Sequence, residues 1–306
     1  MSRHSNFTRG LFTGAVCLVA GLSVSASAAG PAGSSPPDFA SHPSAAWFAY
    51  KREFIAPSSG PGPVMQHPKY PRVSNDDYRV TGQQPTFAFA DVDNPILQPW
   101  ARDVIRKQNE LVSSGKPAYS RHASCYPVGI PHFLLMPMTR PMYIVQGPKE
   151  VVMILTSFSD VRRIHLNVPH SANLKPSWTG ESVGHYEGDT LVVDTIGLSE
   201  KAPVDGFDTP HTDQLHVVER WRLIEGGETL DVQVYVEDPG TFTTPWTAIQ
   251  RYSRTEGIAR RTSVSNVAML ASGGEGPLLE AICAENPFSL MGMESIPIAQ
   301  SKVPDF

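Results

Sequence analysis

The second half of the chain is a series of short apolar or alternating runs separated by turn residues. These runs span 151–155, 163–168, 190–195, 215–223, 229–236, 246–253 and 260–268. Gly188-Asp189 and the Glu225-Gly226-Gly227-Glu228 segment lie between runs and are typical of tight turns. Because no helix of crossover length separates the runs, the pattern predicts an antiparallel meander.

One helix is predicted before these strands, near residues 96–113. Apolar residues recur there at helical spacing, from Ile96 through Trp100 and Ile105 to Val112, and either Asn94-Pro95 or Gln98-Pro99 offers a start. We therefore predict a mainly β fold, in which the meander forms a lipocalin-like barrel or strongly bent sheet with this helix packed against it. A two-sheet β-sandwich is the alternative.

The residues before the helix divide into three segments. Residues 1–28 carry Arg3 and Arg9, an apolar run and an Ala26-Ser27-Ala28 cleavage site, which predicts a signal peptide and a periplasmic or secreted protein. Residues 29–45 are rich in Pro, Gly and Ser and are expected to be disordered. Residues 46–93 contain aromatic side chains that need burial, so we expect an irregular N-terminal arm, followed by a single β-rich domain over 94–306.

The charge and the apolar content of the chain restrict the kinds of partner that it can bind. The chain carries 25 basic and 30 acidic residues, and loss of Arg3 and Arg9 with the signal peptide moves its net charge from −5 to about −7. This balance argues against a nucleic-acid partner, which requires a basic surface. No segment after the signal peptide is long and apolar enough for an integral membrane helix. The sequence does not indicate an oligomeric state.

Two cysteines, Cys125 and Cys283, remain after signal cleavage. An even pair in an oxidising compartment predicts one disulfide, which would constrain the unfolded chain by closing a long loop. Two separate buried thiols are the alternative.

The run at 215–223 places an acid among apolar residues. Side chains on a strand alternate between faces, so Glu219 shares one face with Val217 and Trp221, whereas His216 and Arg220 point to the other. If the apolar face is the interior, Glu219 is paired, protonated or next to a wet cavity. Glu219 is thus a candidate general acid or base, and a structural pair with Arg163 or Arg220 is the alternative.

The segment 197–214 is long and irregular and contains His211 and Asp213. Long segments of this kind within compact domains are often lids or binding loops. Histidine exchanges protons near neutral pH, so His211 is the first candidate acid/base, with Asp213 or Glu219 fixing its tautomer.

A zinc site is the less favoured alternative. His211, Asp213 and His216 form an H-x-D-x-x-H array, to which His165, His170 and His185 could add nitrogen ligands. The spacing matches no strong metal signature, so we expect no cofactor. Ser182 lies in a G-x-S-x-G match, but a strand follows it where a hydrolase nucleophile needs a helix.

Several sequence blocks occur together. They include C-Y-P-V-G-I-P from Cys125, G-H-Y-E-G-D-T-L-V-V-D-T over 184–195, P-H-T-D over 210–213 and H-V-V-E-R over 216–220. Together they resemble a large group of exported bacterial proteins that mostly carry no assigned function. The chain has Tyr186 and Thr212 where this group usually has Trp and Ser. The resemblance implies export and no particular activity.

From these features we expect a cofactor-independent enzyme, a lyase, isomerase or hydrolase, that acts on a small organic substrate by acid/base chemistry. His211 and Glu219 would exchange protons, and Arg163 or Arg220 would bind an anion. Tyr186, Trp221 and Trp246 would line the pocket. The alternative is a non-catalytic, lipocalin-like carrier of an apolar or aromatic ligand.

Overall fold

The computed structural model describes residues 35–41, 46–51, 53–73, 81–82, 86, 88–114, 126–136, 141–155 and 160–254. Nine strands in this part of the chain form one closed barrel, in which each strand pairs with the next and the ninth pairs with the first. The mainly β fold with a barrel, as expected from the sequence, is confirmed, and the sandwich alternative does not form.

The strands follow one another in order around the barrel. They are β1 (Ala46–Ala49), β2 (Met142–Gln146), β3 (Glu150–Leu155), β4 (Asp160–Leu166), β5 (Glu181–Glu187), β6 (Thr190–Ile196), β7 (His216–Ile224), β8 (Thr229–Glu237) and β9 (Trp246–Arg254). Burial alternates along β4 and β7, because alternate side chains face the interior and the exterior.

One strand pair departs from the predicted meander. β4 and β5 are parallel, with Ile164 opposite Ser182, whereas all other neighbouring strands are antiparallel. The connection over 167–180 is long enough for the crossover that a parallel pair requires. It contains no helix, so the sequence offered no helical signal for it.

The segments before the helix are more ordered than expected. Ala46–Ala49, placed by the sequence in an irregular arm, forms β1 and closes the barrel between β2 and β9. Phe39, within the stretch expected to be disordered, is fully buried, and its carbonyl accepts a hydrogen bond from the Trp47 indole. Because these aromatic side chains pack in the core, the arm and the β domain share one interior.

The predicted helix is present as α1 (Pro99–Ser113). Gln98 precedes it in an extended conformation and Pro99 opens it, which is a favoured place for proline. Its buried residues lie on one face, at Ala101, Ile105, Asn109 and Val112. Trp100, expected on that face, is 42% exposed, and its indole donates to the Gly240 carbonyl.

A short 3₁₀ segment, His132–Leu135, is entirely buried against the barrel. The Leu134 carbonyl accepts hydrogen bonds from Tyr252 Oη and Gln250 Nε2, two inward-facing side chains of β9. This segment therefore packs against the inward-facing side chains of β9.

Several predictions fall on residues outside the described part of the chain. These are the signal peptide at 1–28, the pairing of Cys125 with Cys283, and the strand at 260–268. They stay predictions.

Candidate functional site

Glu219 lies in the barrel interior, as the alternation in its strand predicted. Its carboxylate accepts two hydrogen bonds from Arg162 Nη1, at 2.8 and 3.1 Å, and one from the Trp221 indole at 3.1 Å. The other donors of Arg162 bind Ser182 Oγ and Thr195 Oγ1. We call these five residues the interior polar cluster. Of the states predicted for Glu219, the structure has the paired one.

The barrel interior around this cluster is filled by side chains. Arg162 and Glu219 are 1% and 0% exposed, and Trp221 stacks on Tyr252 with ring centres 6.0 Å apart. Burial raises the pKa of the Tyr252 hydroxyl well above its ordinary value, and the Glu219 charge adds to this effect. Side chains packed this closely hold one another in place, but they do not admit a substrate.

His211, the first acid/base candidate, is buried inside its loop. It is 3% exposed, and its Nδ1 donates to the Thr212 carbonyl at 2.7 Å. Burial lowers the pKa of His211, so the ring is held neutral. No hydrogen bond joins it to Glu219 or Asp213 within the described residues. The structure therefore does not bring the predicted catalytic residues together.

The segment at 197–215 is a packed part of the fold rather than an open lid. Asp205 is buried and accepts hydrogen bonds from the Phe207 and Thr209 amides and from the Thr209 hydroxyl. Asp238 does the same for Thr212, through its amide at 2.7 Å and its hydroxyl at 2.6 Å. These carboxylates fix the loop, which explains why a long irregular segment is ordered here.

Both arginines predicted to bind an anion lie on the outer wall. Arg163 is 61% exposed and pairs with Glu150, and Arg220 pairs with Glu187 at 2.7 Å. Neither reaches Glu219, because strand alternation points them away from the interior. Arg162 is the arginine that pairs with Glu219.

The predicted aromatic pocket residues belong mainly to the core. Trp246 is buried between Phe54 and Phe242, and Trp221 belongs to the interior polar cluster. Tyr186 is partly buried, and its hydroxyl is hydrogen-bonded to Gln146. They therefore do not converge on a shared cavity in the described structure.

The proposed zinc array does not converge either. His211 is buried in the loop, Asp213 is exposed, and His216 points outward from β7. His216 binds the Asp194 carboxylate instead of the other two residues. In the described residues, the set whose donor atoms do lie together is His67, Asp91 and Asp93, on other segments.

A row of titratable side chains crosses the outer wall of the barrel from β5 to β8. Asp194 accepts from His216 Nε2, at 3.1 and 3.2 Å from its two oxygens, and from His170 Nε2 at 3.0 Å. His170 Nδ1 lies 3.0 Å from Glu181, which Ser171 also binds. Beyond His216, Tyr235 donates to Glu237 on β8. We call these seven residues the outer polar band.

Hydrogen bonds within the outer polar band shift the pKa values of several of its members. The hydrogen bond that His216 donates to Asp194 raises the pKa of His216 above its ordinary value, against the effect of partial burial. Burial raises the pKa of Asp194, but the hydrogen bonds of His216 and His170 bring it below the ordinary value. Ser171 lowers the pKa of Glu181 through its hydroxyl and amide. The band thus favours the charged form of His216 and the ionised forms of Asp194 and Glu181.

An open groove of about 470 Å³ borders one end of this band. Ser171 and Glu181 belong to both. Its other polar lining includes Arg163 and His165 from β4 and Asn173 and Lys175 from the crossover segment. The groove therefore places Lys175 and Arg163, which is also paired with Glu150, next to the titratable row.

The sequence blocks at 184–195 and 216–220 are neighbours in the barrel. In the block at 184–195, Glu187 pairs with Arg220 and Asp194 with His216, both from the block at 216–220. The blocks therefore supply the Asp194–His216 pair of the outer polar band and the contact between β6 and β7. A search for His and acid residues on the outward positions of adjacent strands would have found Asp194 and His216, but His170 gives no such signal because it lies on an irregular connection.

None of the helices in the described ranges is both long and apolar enough to span a membrane. Comparison of the chain with protein-family models, with curated proteins and with solved structures finds no match.

Proposed function

We propose that this protein is an acid/base enzyme whose proton-transfer pair is His216 with Asp194. One observation supports this most strongly. Both oxygens of Asp194 face Nε2 of His216, whereas Nδ1 makes no hydrogen bond to a described residue and the side chain is 34% exposed. A histidine fixed by a carboxylate at one nitrogen and open at the other is suited to exchange a proton with a substrate.

The rest of the outer polar band positions this pair. Asp194 keeps the proton of His216 on Nε2 and stabilises the imidazolium. His170 and Glu181 continue the row and hold the Asp194 carboxylate in place from its other side. In this role His216 donates the proton on Nδ1 to a leaving group or carbonyl oxygen, or removes a proton once it is neutral. The pair needs no cofactor for either step.

The groove beside Glu181 suggests the substrate class. Arg163 and Lys175 are cationic, and Asn173 and His165 add hydrogen-bonding groups. We propose an organic anion with its charged end beside Arg163. Because His170 and Asp194 lie between the groove and His216, the substrate must extend along the outer polar band to place its reacting end at His216. Lyase, isomerase and hydrolase chemistry each need such a proton transfer.

A carrier of an apolar ligand is less well supported. Such a carrier uses a cavity inside its barrel, and the described interior is occupied by the interior polar cluster and its aromatic neighbours. Export to the periplasm or beyond remains part of the proposal, and it rests on residues 1–28.

Turnover measurements with matched histidine variants test the proposal. Small carboxylic, hydroxy and unsaturated acids and their esters are incubated in D₂O and followed by proton NMR for lost C–H signals or new products. His216→Gln should lower the rate by about 10²–10⁴-fold. His185→Gln is the control, because His185 is another exposed outer-wall histidine paired with a glutamate. Wild-type turnover by His216→Gln would disprove the proposal.

A titration adds a readout that does not depend on the substrate. The His216 ring should titrate above 6.5 in the wild type, and Asp194→Asn should shift its pKa downward. A His216 pKa that Asp194→Asn leaves unchanged would remove Asp194 from the pair.

A further inference from the structure

Three donor side chains converge near α1, away from the residues used above. Donor atoms of His67, Asp91 and Asp93 all lie within 4.8 Å of one another. Two of them follow the D-x-D spacing, whereas His67 comes from a segment more than twenty residues earlier in the chain. Their convergence therefore depends on the tertiary fold.

The backbone holds the two segments side by side. The His67 amide donates to the Phe89 carbonyl and the Asp91 amide to the Met65 carbonyl, each at 2.8 Å. Asn109 of α1 then binds both backbone groups of Ala90, at 3.0 and 2.8 Å. The donor set is thus fixed to the helix by a short ladder, and little chain entropy would be lost in ordering it for a ligand.

The two carboxylates have no cationic partner in the described part of the chain. Asp91 Oδ1 accepts the Asp93 amide at 3.1 Å, which leaves its second oxygen and both Asp93 oxygens available. Arg106, the nearest arginine lining the adjacent groove, is paired with Asp103. Two neighbouring negative charges repel each other, and a bound cation would remove that repulsion.

The imidazole completes a mixed donor set. Its ring packs edge-on against Tyr70 and Phe89, with centres 5.0 and 5.8 Å apart, which fixes its orientation. Nδ1 accepts one long hydrogen bond, 3.2 Å, from the Lys69 amide. A metal at Nδ1 replaces that bond, and a metal at Nε2 requires the ring proton to move to Nδ1.

We propose that His67, Asp91 and Asp93 bind a zinc ion. One imidazole nitrogen and two carboxylate oxygens suit zinc, whereas calcium and magnesium prefer oxygen alone. Ligands of a tetrahedral zinc lie roughly 3.3 Å apart, so the three donors need to close by only a small movement. Three protein ligands leave a fourth position for water or a small molecule.

A groove next to the site has room for that fourth ligand. It measures about 580 Å³ and is lined by His67, Tyr70, Phe89 and Arg106, among others. Aromatic walls with one arginine suit a ligand that combines a ring with an acidic group. This site shares no residue with the outer polar band, so the zinc proposal and the proposed function can be tested independently.

Zinc titration of the full chain tests the proposal. The protein is purified without affinity histidines, stripped with chelator and titrated with zinc chloride by calorimetry. We expect one zinc per chain with a Kd below about 10 μM, and binding about 100-fold weaker in Asp91→Asn/Asp93→Asn. Asp213→Asn is the control, because Asp213 belongs to the array predicted from sequence and is exposed.

The variants are compared as metal-free proteins by circular dichroism and thermal unfolding, so that misfolding is recognised. If the double variant does not fold, His67→Gln is used in its place. This variant keeps a polar side chain and should weaken zinc binding to a similar degree. Wild-type affinity in Asp91→Asn/Asp93→Asn or in a folded His67→Gln overturns the site. Loss of zinc in Asp213→Asn alone, or a wild-type Kd above about 10 μM, overturns it as well.

Discussion

At the residue scale, the pair of Arg162 and Glu219 has the clearest energetic consequence. Both side chains are buried, and each would leave an unpaired charge in the interior if its partner were removed. Glu219→Gln should therefore destabilise the protein by about 3–5 kcal/mol. Urea unfolding followed by fluorescence measures the change.

A double variant separates pairing from packing. Arg162→Met/Glu219→Leu removes both charges and should cost less than the two single changes together. Glu187→Gln, which breaks an exposed pair with Arg220, should cost under about 1 kcal/mol. An equally small effect of Glu219→Gln would contradict the pairing in the interior.

Asp205 makes the stability depend on pH. Burial raises its pKa from 3.8 to about 6, against the hydrogen bonds of Thr209 and Phe207. Because the folded state holds this proton more tightly, its contribution to stability is complete below pH 3.8 and is lost as pH rises through about 6.

Asp205→Asn stays neutral and should lose this dependence. Relative to wild type, the variant should gain about 3 kcal/mol between pH 4 and pH 8. Urea unfolding of both proteins at several pH values measures the difference, in which other titrating groups cancel. A difference that is constant from pH 4 to pH 8 would show that Asp205 titrates normally.

Residue positions were predictable where strand alternation applies. It correctly placed Glu219 and Trp221 inside, and the same rule applied to Ile164 and Leu166 would have selected Arg162 as the inward arginine instead of Arg163. The burial of His211 was not predictable, because it depends on how the loop folds back on itself. No local pattern encodes that packing.

At the element scale, one side chain of α1 binds the backbone of the preceding segment at Ala90. Asn109 binds the amide and the carbonyl of Ala90, and all of these groups are buried. Asn109→Ala leaves both backbone groups without partners and should cost about 2–3 kcal/mol. Thermal unfolding measures this, and Lys107→Ala on the exposed helix face is the control.

Hydrogen exchange gives a local check on the same contact. The Ala90 amide should exchange faster in Asn109→Ala than in the wild type, because its acceptor is gone. Unchanged exchange at Ala90 would mean that α1 does not hold this segment.

The elements themselves were predicted unevenly. The helix, the Glu225–Gly227 turn and the strands from β6 to β9 follow from strong local periodicity. β1, β2 and β5 were missed because they are short and lie among proline-rich, glycine-containing or mixed sequence. The parallel β4–β5 pair was also missed, since its crossover has no helix and strand direction is set by tertiary contacts.

At the scale of the whole molecule, the interior and the outer wall of the barrel differ in how their polar groups are satisfied. Its interior contains a polar cluster whose members satisfy one another, together with packed aromatic rings. Its outer wall contains titratable groups that solvent reaches and a groove beside them. A barrel is thus predictable from the sequence. Which of its surfaces could bind a ligand depends on how closely the interior packs, and the sequence does not predict that packing.

Side-chain NMR during ligand binding tests this division most directly. Small carboxylic acids are titrated into protein labelled with ¹⁵N, and the ring signals of His216 and His170 are compared with the Trp221 indole signal. If the outer wall binds ligand, the histidine signals shift and the Trp221 signal stays in place. A saturable shift of the Trp221 indole, with His216 and His170 unchanged, would contradict the account and place the ligand inside the barrel.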